Sequence, residues 1–382
     1  MAANWLELQT EILFLILKRL TFLDIIRFKS VCYMWNKATR SYISSPFYSP
    51  ILTPLLMLPN DVESNARNFF SVTENKYYKI NHNVFEEFSN AWCIGSSHGW
   101  LIIFHERENS YLVNPISGVK IHLPLMNNLN MPRDDLRGYK YCISKAILLS
   151  NPCLGESEKL SFCVVVIYGQ SSKTLAFCRS EDSTWTQFGD EGVYQDMICH
   201  NGLLYVFSFT NPVEIWDFHS DFPKKVMELE ISSALNALVE HPNYMESYLV
   251  ESMGELLYVV EMQTNEEETI REFAICKLLD DGEERWEPVE TLSDRALFLG
   301  KYESISVSTQ NCLEGVGENL IYFTLRKDYS IGGHSIGVYN FKEKEMVNKQ
   351  VYDHYCMIVD DDSPFVMYDP PWPLFWIVPN PW

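Results

Sequence analysis

The sequence predicts an α+β protein in two parts: a small three-helix module, then an all-β propeller of six blades that strands from both chain ends close. Three observations predict this fold. Residues 8–42 carry helix caps and apolar faces, the chain from residue 91 repeats about every 50 residues, and apolar strands at both ends are left over. We expect helices over residues 1–45, a link and closing strand over 46–60, and the propeller over 61–382.

The first stretch divides into three short helices. Thr10 is predicted to cap the first helix, with Glu11 at the positive end of its dipole. Thr21 and Asp24 have the spacing of a capping box for the second helix, and Ser30 is predicted to cap the third. Residues at helical spacing give the third helix one face: Val31, Trp35, Ala38 and Tyr42.

The first helix is unusual because residues 12–17, Ile-Leu-Phe-Leu-Ile-Leu, are apolar on every side. Such a helix must be covered all round, and a module of about 40 residues rarely folds unaided. We therefore expect a partner protein to cover the excess apolar surface. The alternative is that the propeller of the same chain covers it.

The repeat is clearest in the segment that begins Gly202-Leu-Leu-Tyr-Val-Phe, and a second copy begins Gly254-Glu-Leu-Leu-Tyr-Val-Val. Four strands in about 50 residues are typical of kelch-like blades, and units begin near residues 91, 139, 193, 246 and 303. Residues 50–80, with a strand pair predicted in 51–58, would form a shared sixth blade with 365–368 and 374–378. Five or seven blades, or a β-sandwich, are the alternatives.

The distribution of charge and of cysteines limits the kinds of partner and the cellular compartments that we expect. The formal net charge is −21, yet residues 1–45 hold six basic and three acidic side chains, so the remainder is strongly acidic. Such a body argues against nucleic acid as a partner, and no apolar run has the length of a membrane span. Ten cysteines are scattered singly, without a Cys-x-x-Cys pair. That pattern is typical of reduced thiols, so we expect the cytoplasm, the nucleus or both.

A catalytic site is not predicted. Gly95-Ser-Ser-His-Gly99 matches the pattern of a nucleophile elbow, but an elbow needs a helix after it, and an apolar strand follows here. The histidines show no metal-ligand spacing, so we expect no cofactor, no metal and no enzyme activity. A propeller hydrolase or lectin stays open as a less favoured class, because a propeller brings distant loops together.

The N-terminal stretch carries, in order, Leu8-Gln-Thr-Glu11-Ile12, Ile16-Leu17, Leu20, Leu23, Ile26 and Val31-Cys32 with Trp35. In this order of residues it resembles an F-box. That family's pattern is Leu-Pro-x-Glu-Ile, a pair of Leu-rich helices, and then Val-Cys with a Trp three residues on. Here Gln9 stands where the family usually has Pro. The resemblance implies docking on the Skp-type adaptor of a cullin–RING ubiquitin ligase. The residues that would form or support the docking surface are Leu8, Glu11, Ile12, Leu20, Leu23, Ile26, Val31, Cys32 and Trp35.

The body resembles the KIB-type propeller of plant F-box proteins. The segments that carry this resemblance run in order from residue 91 to the end, and they include Gly95-Ser-Ser-His-Gly-Trp-Leu, Leu112-Val-Asn-Pro, Asp294-Arg-Ala-Leu-Phe-Leu-Gly and Trp376-Ile-Val-Pro. The resemblance implies a subunit of an SCF-type ligase that holds an unknown protein client on the propeller. The alternative is an interaction protein outside any ligase, with the helices buried against its own body.

Overall fold

A computed structural model gives the fold. It describes residues 5, 8–43, 45, 54–58, 67–80, 91–105, 110–129, 142–154, 160–170, 172–208, 212–230, 233–264, 271–279, 286–310, 316–326, 334–352 and 374–379. Three helices come first: α1 Thr10–Leu17, α2 Phe22–Lys29 and α3 Tyr33–Ile43. A fourth helix, α4 Ser233–Val239, lies between two blades of the propeller. Within the described residues, no helix is long and apolar enough to cross a membrane.

The strands that follow form six sheets, which are the blades of the propeller, and one small ribbon. Blade 1 contains β1 Leu55–Met57, β2 Arg67–Ser71 and β3 Lys76–Ile80, and blade 2 contains β4 Ala91–Ser97, β5 Trp100–His105, β6 Tyr111–Val113 and β7 Lys120–His122. Blade 3 contains β8 Ile143–Leu148, β11 Cys163–Gly169, β12 Lys173–Arg179 and β13 Thr186–Gly192. The ribbon, β9 Cys153–Leu154 with β10 Leu160–Ser161, lies in the connection from β8 to β11.

The second half of the ring continues in the same way. Blade 4 contains β14 Tyr194–His200, β15 Leu203–Ser208, β16 Val213–Asp217 and β17 Lys224–Leu229, and blade 5 contains β18 Tyr244–Ser252, β19 Glu255–Gln263, β20 Arg271–Leu278 and β21 Trp286–Val289. Blade 6 contains β22 Arg295–Leu299, β23 Ile305–Ser308, β24 Leu320–Arg326, β25 His334–Asn340 and β26 Glu345–Tyr352. The last strand, β27 Phe375–Ile377, returns to blade 1.

Six buried apolar clusters show that the ring is closed, because each cluster is shared by two consecutive blades. Five of them join blades 1 and 2, 2 and 3, 3 and 4, 4 and 5, and 5 and 6. The sixth joins blade 6 to blade 1, where Phe298 packs against Trp376 with ring centroids 5.0 Å apart. Because the ring is closed, each blade is covered on both faces by its neighbours. The six blades agree with the number predicted from the repeat.

Blade 1 confirms the prediction that both chain ends close the ring. In the antiparallel pair, Leu55 lies opposite Ile377 and Met57 lies opposite Phe375. Within 51–58 the structure describes one strand, Leu55–Met57, rather than a pair, and 51–53 lie outside the described residues. The strand predicted at 365–368 also lies outside them.

Blade 6 departs from the repeat. The last unit was predicted to begin near residue 303, but the blade already begins at Arg295. Here β22 lies between β23 and β24 and pairs with β24 in parallel, with Leu297 opposite Ile321. An antiparallel hairpin period cannot predict a parallel strand, because parallel neighbours are not joined by a short turn.

The middle strands of the blades are apolar runs rather than alternating patterns. In β11, Val164 to Ile167 are all fully buried, and in β19 the run Leu256 to Val260 is at most 1% exposed. A blade is covered on both faces by its neighbours, so both sides of these strands face apolar atoms. A continuous apolar run of this kind therefore indicates a middle strand of a blade that has a neighbouring blade on each face.

The segment that matched a nucleophile elbow is a β-hairpin. Gly95 to Ser97 belong to β4, His98 and Gly99 form the turn with φ values of 53° and 78°, and Trp100 begins β5. Two positive φ angles in sequence are the geometry of a type I′ turn, in which the second position favours glycine. The prediction of a turn is confirmed, and no helix follows to present a nucleophile.

Candidate docking site on the helical module

The three helices have an apolar core of their own, separate from the six clusters of the ring. Its buried side chains are Leu13, Leu17, Ile25, Phe28, Ala38 and Tyr42. Two aromatic contacts strengthen it: Phe28 stacks on Trp35 with ring centroids 4.2 Å apart, and Phe14 lies 5.5 Å from Tyr42. The predicted face of the third helix is confirmed for Trp35, Ala38 and Tyr42, which pack inward.

One of the three predicted caps is confirmed. The hydroxyl of Thr21 accepts the amide of Asp24 at 3.3 Å and donates to its carboxylate at 3.0 Å, so α2 begins at a closed cap. Thr10 does not cap α1: the cap position is Gln9, whose side chain makes no cap hydrogen bond, and Thr10 is the first helical residue. Glu11 lies in the first turn as predicted.

Ser30 does not cap α3, because it ends α2. Its hydroxyl donates to the carbonyl of Ile26 at 3.0 Å, one turn back in the same helix. The third helix starts at Tyr33, so its cap position is Cys32 and Ser30 lies two residues too early to cap it. Val31 lies in the connection between the two helices.

Besides Trp5, which is 63% exposed, the module leaves apolar side chains in solvent at two places. On α1, Ile12 is 43% and Leu15 is 63% exposed, while Leu13 and Leu17 are buried on the opposite side. Around the start of α3, Val31, Tyr33 and Met34 are each at least half exposed. We call these five side chains the exposed apolar set. The ring does not cover them, so the helix that reads as apolar all round has one face inside and one face free.

The predicted docking residues divide between surface and core. Glu11, Ile12 and Val31 are exposed. The half-buried ones are Leu8, Leu20, Ile26, Cys32 and Trp35, of which Leu8, Leu20 and Trp35 pack against the core of the module. The side chain of Leu23 lies outside the described residues. Sequence reasoning missed Leu15, Tyr33 and Met34, although Leu15 follows Ile12 at the helical spacing of three that predicts a shared face.

Gln9 gives the helix entry the backbone that proline would impose. Its φ is −64° and its ψ is 147°, and its carbonyl accepts the amides of both Ile12 and Leu13 at 3.1 Å. Proline fixes φ near −65°, so the missing proline has not changed the local path of the chain.

A charged residue of α2 contacts the propeller. The Arg27 guanidinium pairs with Asp24 at 2.9 Å and lies 5.7 Å above the ring of Tyr78 on β3. Tyr78 in turn donates to the carboxylate of Glu74. This contact links α2 to blade 1, while Ile12 and Leu15 on α1 stay exposed.

No group of three or more His, Cys, Asp and Glu side chains placed to hold a metal ion occurs in the part of the chain that the structure describes. The chemistry of the exposed apolar set is that of a protein interface: aliphatic and aromatic side chains with a carboxylate, Glu11, at the edge of α1.

Comparison with known proteins agrees with this division. Residues 5–44 match the F-box domain, and residues 69–340 match the KIB1-4 beta-propeller. The probable F-box protein At4g22060 of Arabidopsis thaliana is 24% identical over 374 residues, which cover 90% of this chain and 91% of that protein. The putative F-box protein At4g22660 of the same plant is 23% identical, covering 94% of this chain and 95% of that protein.

A three-helix F-box domain ahead of a six-bladed ring defines the class: an F-box protein with a β-propeller. Within that class, the chain belongs to the KIB1-4 beta-propeller family, whose match spans blades 1 to 6.

Proposed function

We propose that this chain is the substrate-recognition subunit of an SCF-type cullin–RING ubiquitin ligase. The F-box domain docks the Skp-type adaptor and through it the cullin, and the propeller holds a protein client. The observation that carries the proposal is the exposed apolar set on a module that matches the F-box domain. Apolar side chains left in solvent beside a complete core indicate a surface that another protein covers.

In this assembly the chain supplies position rather than chemistry. A client held on the ring is brought close to a ubiquitin-loaded enzyme on the same scaffold, and proximity raises the rate of transfer to its lysines. Residues 1–45 carry a net positive charge, while the rest of the chain is strongly acidic. An acidic partner would therefore be attracted to the helical module rather than to the propeller. We place the assembly in the cytoplasm, the nucleus or both, and imaging of a fluorescent fusion tests this.

Co-purification tests the docking surface directly. The double variant Ile12→Asp with Leu15→Asp puts two carboxylates on the free face of α1 and leaves the core of the module intact. We expect recovery of the Skp-type adaptor to fall at least about tenfold, since charges at the centre of an apolar interface are costly to desolvate. The matched control is Val226→Asp on β17, an apolar side chain that is 51% exposed on blade 4.

The outcomes separate clearly. Loss of adaptor from the double variant with full recovery in the control supports the proposal. If wild type recovers no adaptor, the chain is not an SCF subunit and the interaction protein outside a ligase becomes the better reading. If the double variant recovers as much adaptor as wild type, the adaptor does not dock on the free face of α1 and the proposed docking surface is wrong. Where the proposal is supported, proximity labelling with ligase activity blocked identifies the client.

A further inference from the structure

The segment Gly300–Ser304, which joins β22 to β23, leaves its own blade and packs on blade 1. The indole of Trp376 on β27 donates to the carbonyl of Leu299 at 3.0 Å, just before the segment. The ring of Tyr302 stacks on Phe375 of β27 with centroids 4.9 Å apart. Ser304 folds back and donates to the carbonyl of Gly300 at 3.3 Å. The segment is therefore a defined loop, held at both ends.

Gly300 allows a close approach of backbone and ring where the segment starts. A Cβ at this position would lie 3.0 Å from the carbonyl oxygen of Glu303 and 3.1 Å from the Trp376 ring. The close approach lets the loop turn tightly over Trp376 and directs the residues after it toward the middle of the ring.

The carboxyl of Glu303, in the connection that precedes β23 of blade 6, lies near groups of two other blades. The groups beside its carboxyl are the hydroxyl of Ser96 on β4 in blade 2 and the ammonium of Lys145 on β8 in blade 3. In a ring of six, blade 3 lies opposite blade 6. The Glu303 Oε2 and Ser96 Oγ atoms are buried, and neither makes a hydrogen bond of good geometry within the described part of the chain. One carboxyl thus connects three blades at the axis.

Lys145 cannot neutralise Glu303, because it is already paired. Its ammonium donates to the carboxylate of Asp196 on β14, and both side chains are less than a tenth exposed. Asp196 also accepts the amides of Met197 at 2.7 Å and Leu249 at 2.8 Å. A carboxylate at Glu303 would therefore be a second negative charge next to a single buried cation.

The other charged side chains near the segment are Lys301, which lies on it and is exposed, Lys173 of β12 and Glu246 of β18. The ammonium of Lys173 donates to the carbonyl of Tyr194 at 2.8 Å. Burial raises the pKa of Glu303 to about 8, and the Ser96 hydroxyl and the Lys145 ammonium offset only part of that rise. A buried carboxyl of this kind is stable when it is neutral.

We propose that Gly300–Ser304 is a proton-controlled plug of the propeller axis: it is seated while the Glu303 carboxyl holds its proton and leaves when the carboxyl ionises. Departure of the plug would expose the Lys145–Asp196 pair and Ser96 at the axis. The device is independent of adaptor docking, because no residue of the helical module takes part in it.

The direction of the pH dependence follows from linkage. In water the Glu303 carboxyl of the unseated plug has an ordinary pKa of about 4.3. From there up to a pH of about 8, the seated form holds a proton that the unseated form has lost. The ratio of seated to unseated plug is therefore highest at low pH and falls about tenfold per pH unit across this window. Above it the ratio levels off, because both forms are ionised.

Hydrogen exchange of the full chain at pH 6, 7 and 8 tests the plug, after correction for the intrinsic rate at each pH. In wild type we expect the opening equilibrium of amides in 296–308 to rise about ninefold from pH 6 to pH 7 and about fivefold from pH 7 to pH 8, where the carboxyl is already half ionised. In Glu303→Gln it should not change, because the amide is neutral and of the same shape. Lys301→Gln, which keeps the carboxyl, should retain the wild-type slope, and peptides of β11 should stay protected throughout.

Three results would overturn the plug. A flat profile in wild type does so whether or not the variants fold. A slope in Glu303→Gln equal to that of wild type shows that another group titrates. Exchange in β11 that rises in parallel with 296–308 shows that the whole ring opens rather than the plug alone.

Discussion

The helical module and the propeller bury apolar side chains in opposite ways. The module has one core, drawn from helices that follow one another within residues 10–43, whereas every cluster of the ring is shared by two blades. The module can therefore unfold while the ring stays folded, whereas a single blade depends on its neighbours because it has no core of its own. The difference also appears at the surface, since α1 leaves Ile12 and Leu15 free and the ring buries both faces of its middle strands.

The largest expected effect comes from breaking the closure of the ring. Trp376 is fully buried between blades 1 and 6. Trp376→Ala removes a large side chain from a site that cannot collapse, so we expect the free energy of unfolding of the ring to fall by about 3–5 kcal/mol. Urea unfolding followed by circular dichroism measures the change.

Trp376→Phe is the matched control for closure. It keeps most of the ring contact with Phe298 and loses the indole hydrogen bond to Leu299, so we expect a loss of about 1–2 kcal/mol. Equal losses in the two variants would show that the cavity does not matter, and the closed ring would not be what stabilises blade 1.

The next effect in size tests whether the helical module unfolds independently of the propeller. Leu13→Ala opens its core and should cost about 2–4 kcal/mol, so amides in residues 10–43 should exchange about 30- to 1,000-fold faster. Leu15→Ala, the same change two residues on at an exposed position, should alter exchange by less than about threefold. If Leu13→Ala also speeds exchange in the blades, the two parts are one cooperative unit and the comparison fails.

The smallest effect concerns the caps. Thr21→Ala removes the confirmed cap of α2 and should destabilise the module by about 1 kcal/mol, read as about fivefold faster exchange in α2. Thr10→Ala is the control, because Thr10 makes no cap bond and lies inside α1. Equal effects from the two changes would contradict the cap assignment.

Much of this fold was open to prediction from local pattern. The cap at Thr21, the inward face of α3 and the hairpin at Gly99 all depend on neighbours a few residues apart. The cap and the hairpin are confirmed, and the face is confirmed except for Val31, which is exposed and lies before the helix. The error at Ser30 is also local. A serine near the junction of two helices can end the first or cap the second, and the sequence does not decide which; in the structure Ser30 ends α2 and its hydroxyl donates to the carbonyl of Ile26.

By itself, the sequence determined the three helices, the period of the blades and the need for both chain ends to complete the ring, because these follow from residue spacing along the chain. Only the tertiary structure decided which side of α1 stays free, since a helix apolar on every side has no periodicity that separates an inner from an outer face. It also decided that Glu303 meets Ser96 and Lys145. That meeting exists only once six blades close around an axis, and no local spacing records it.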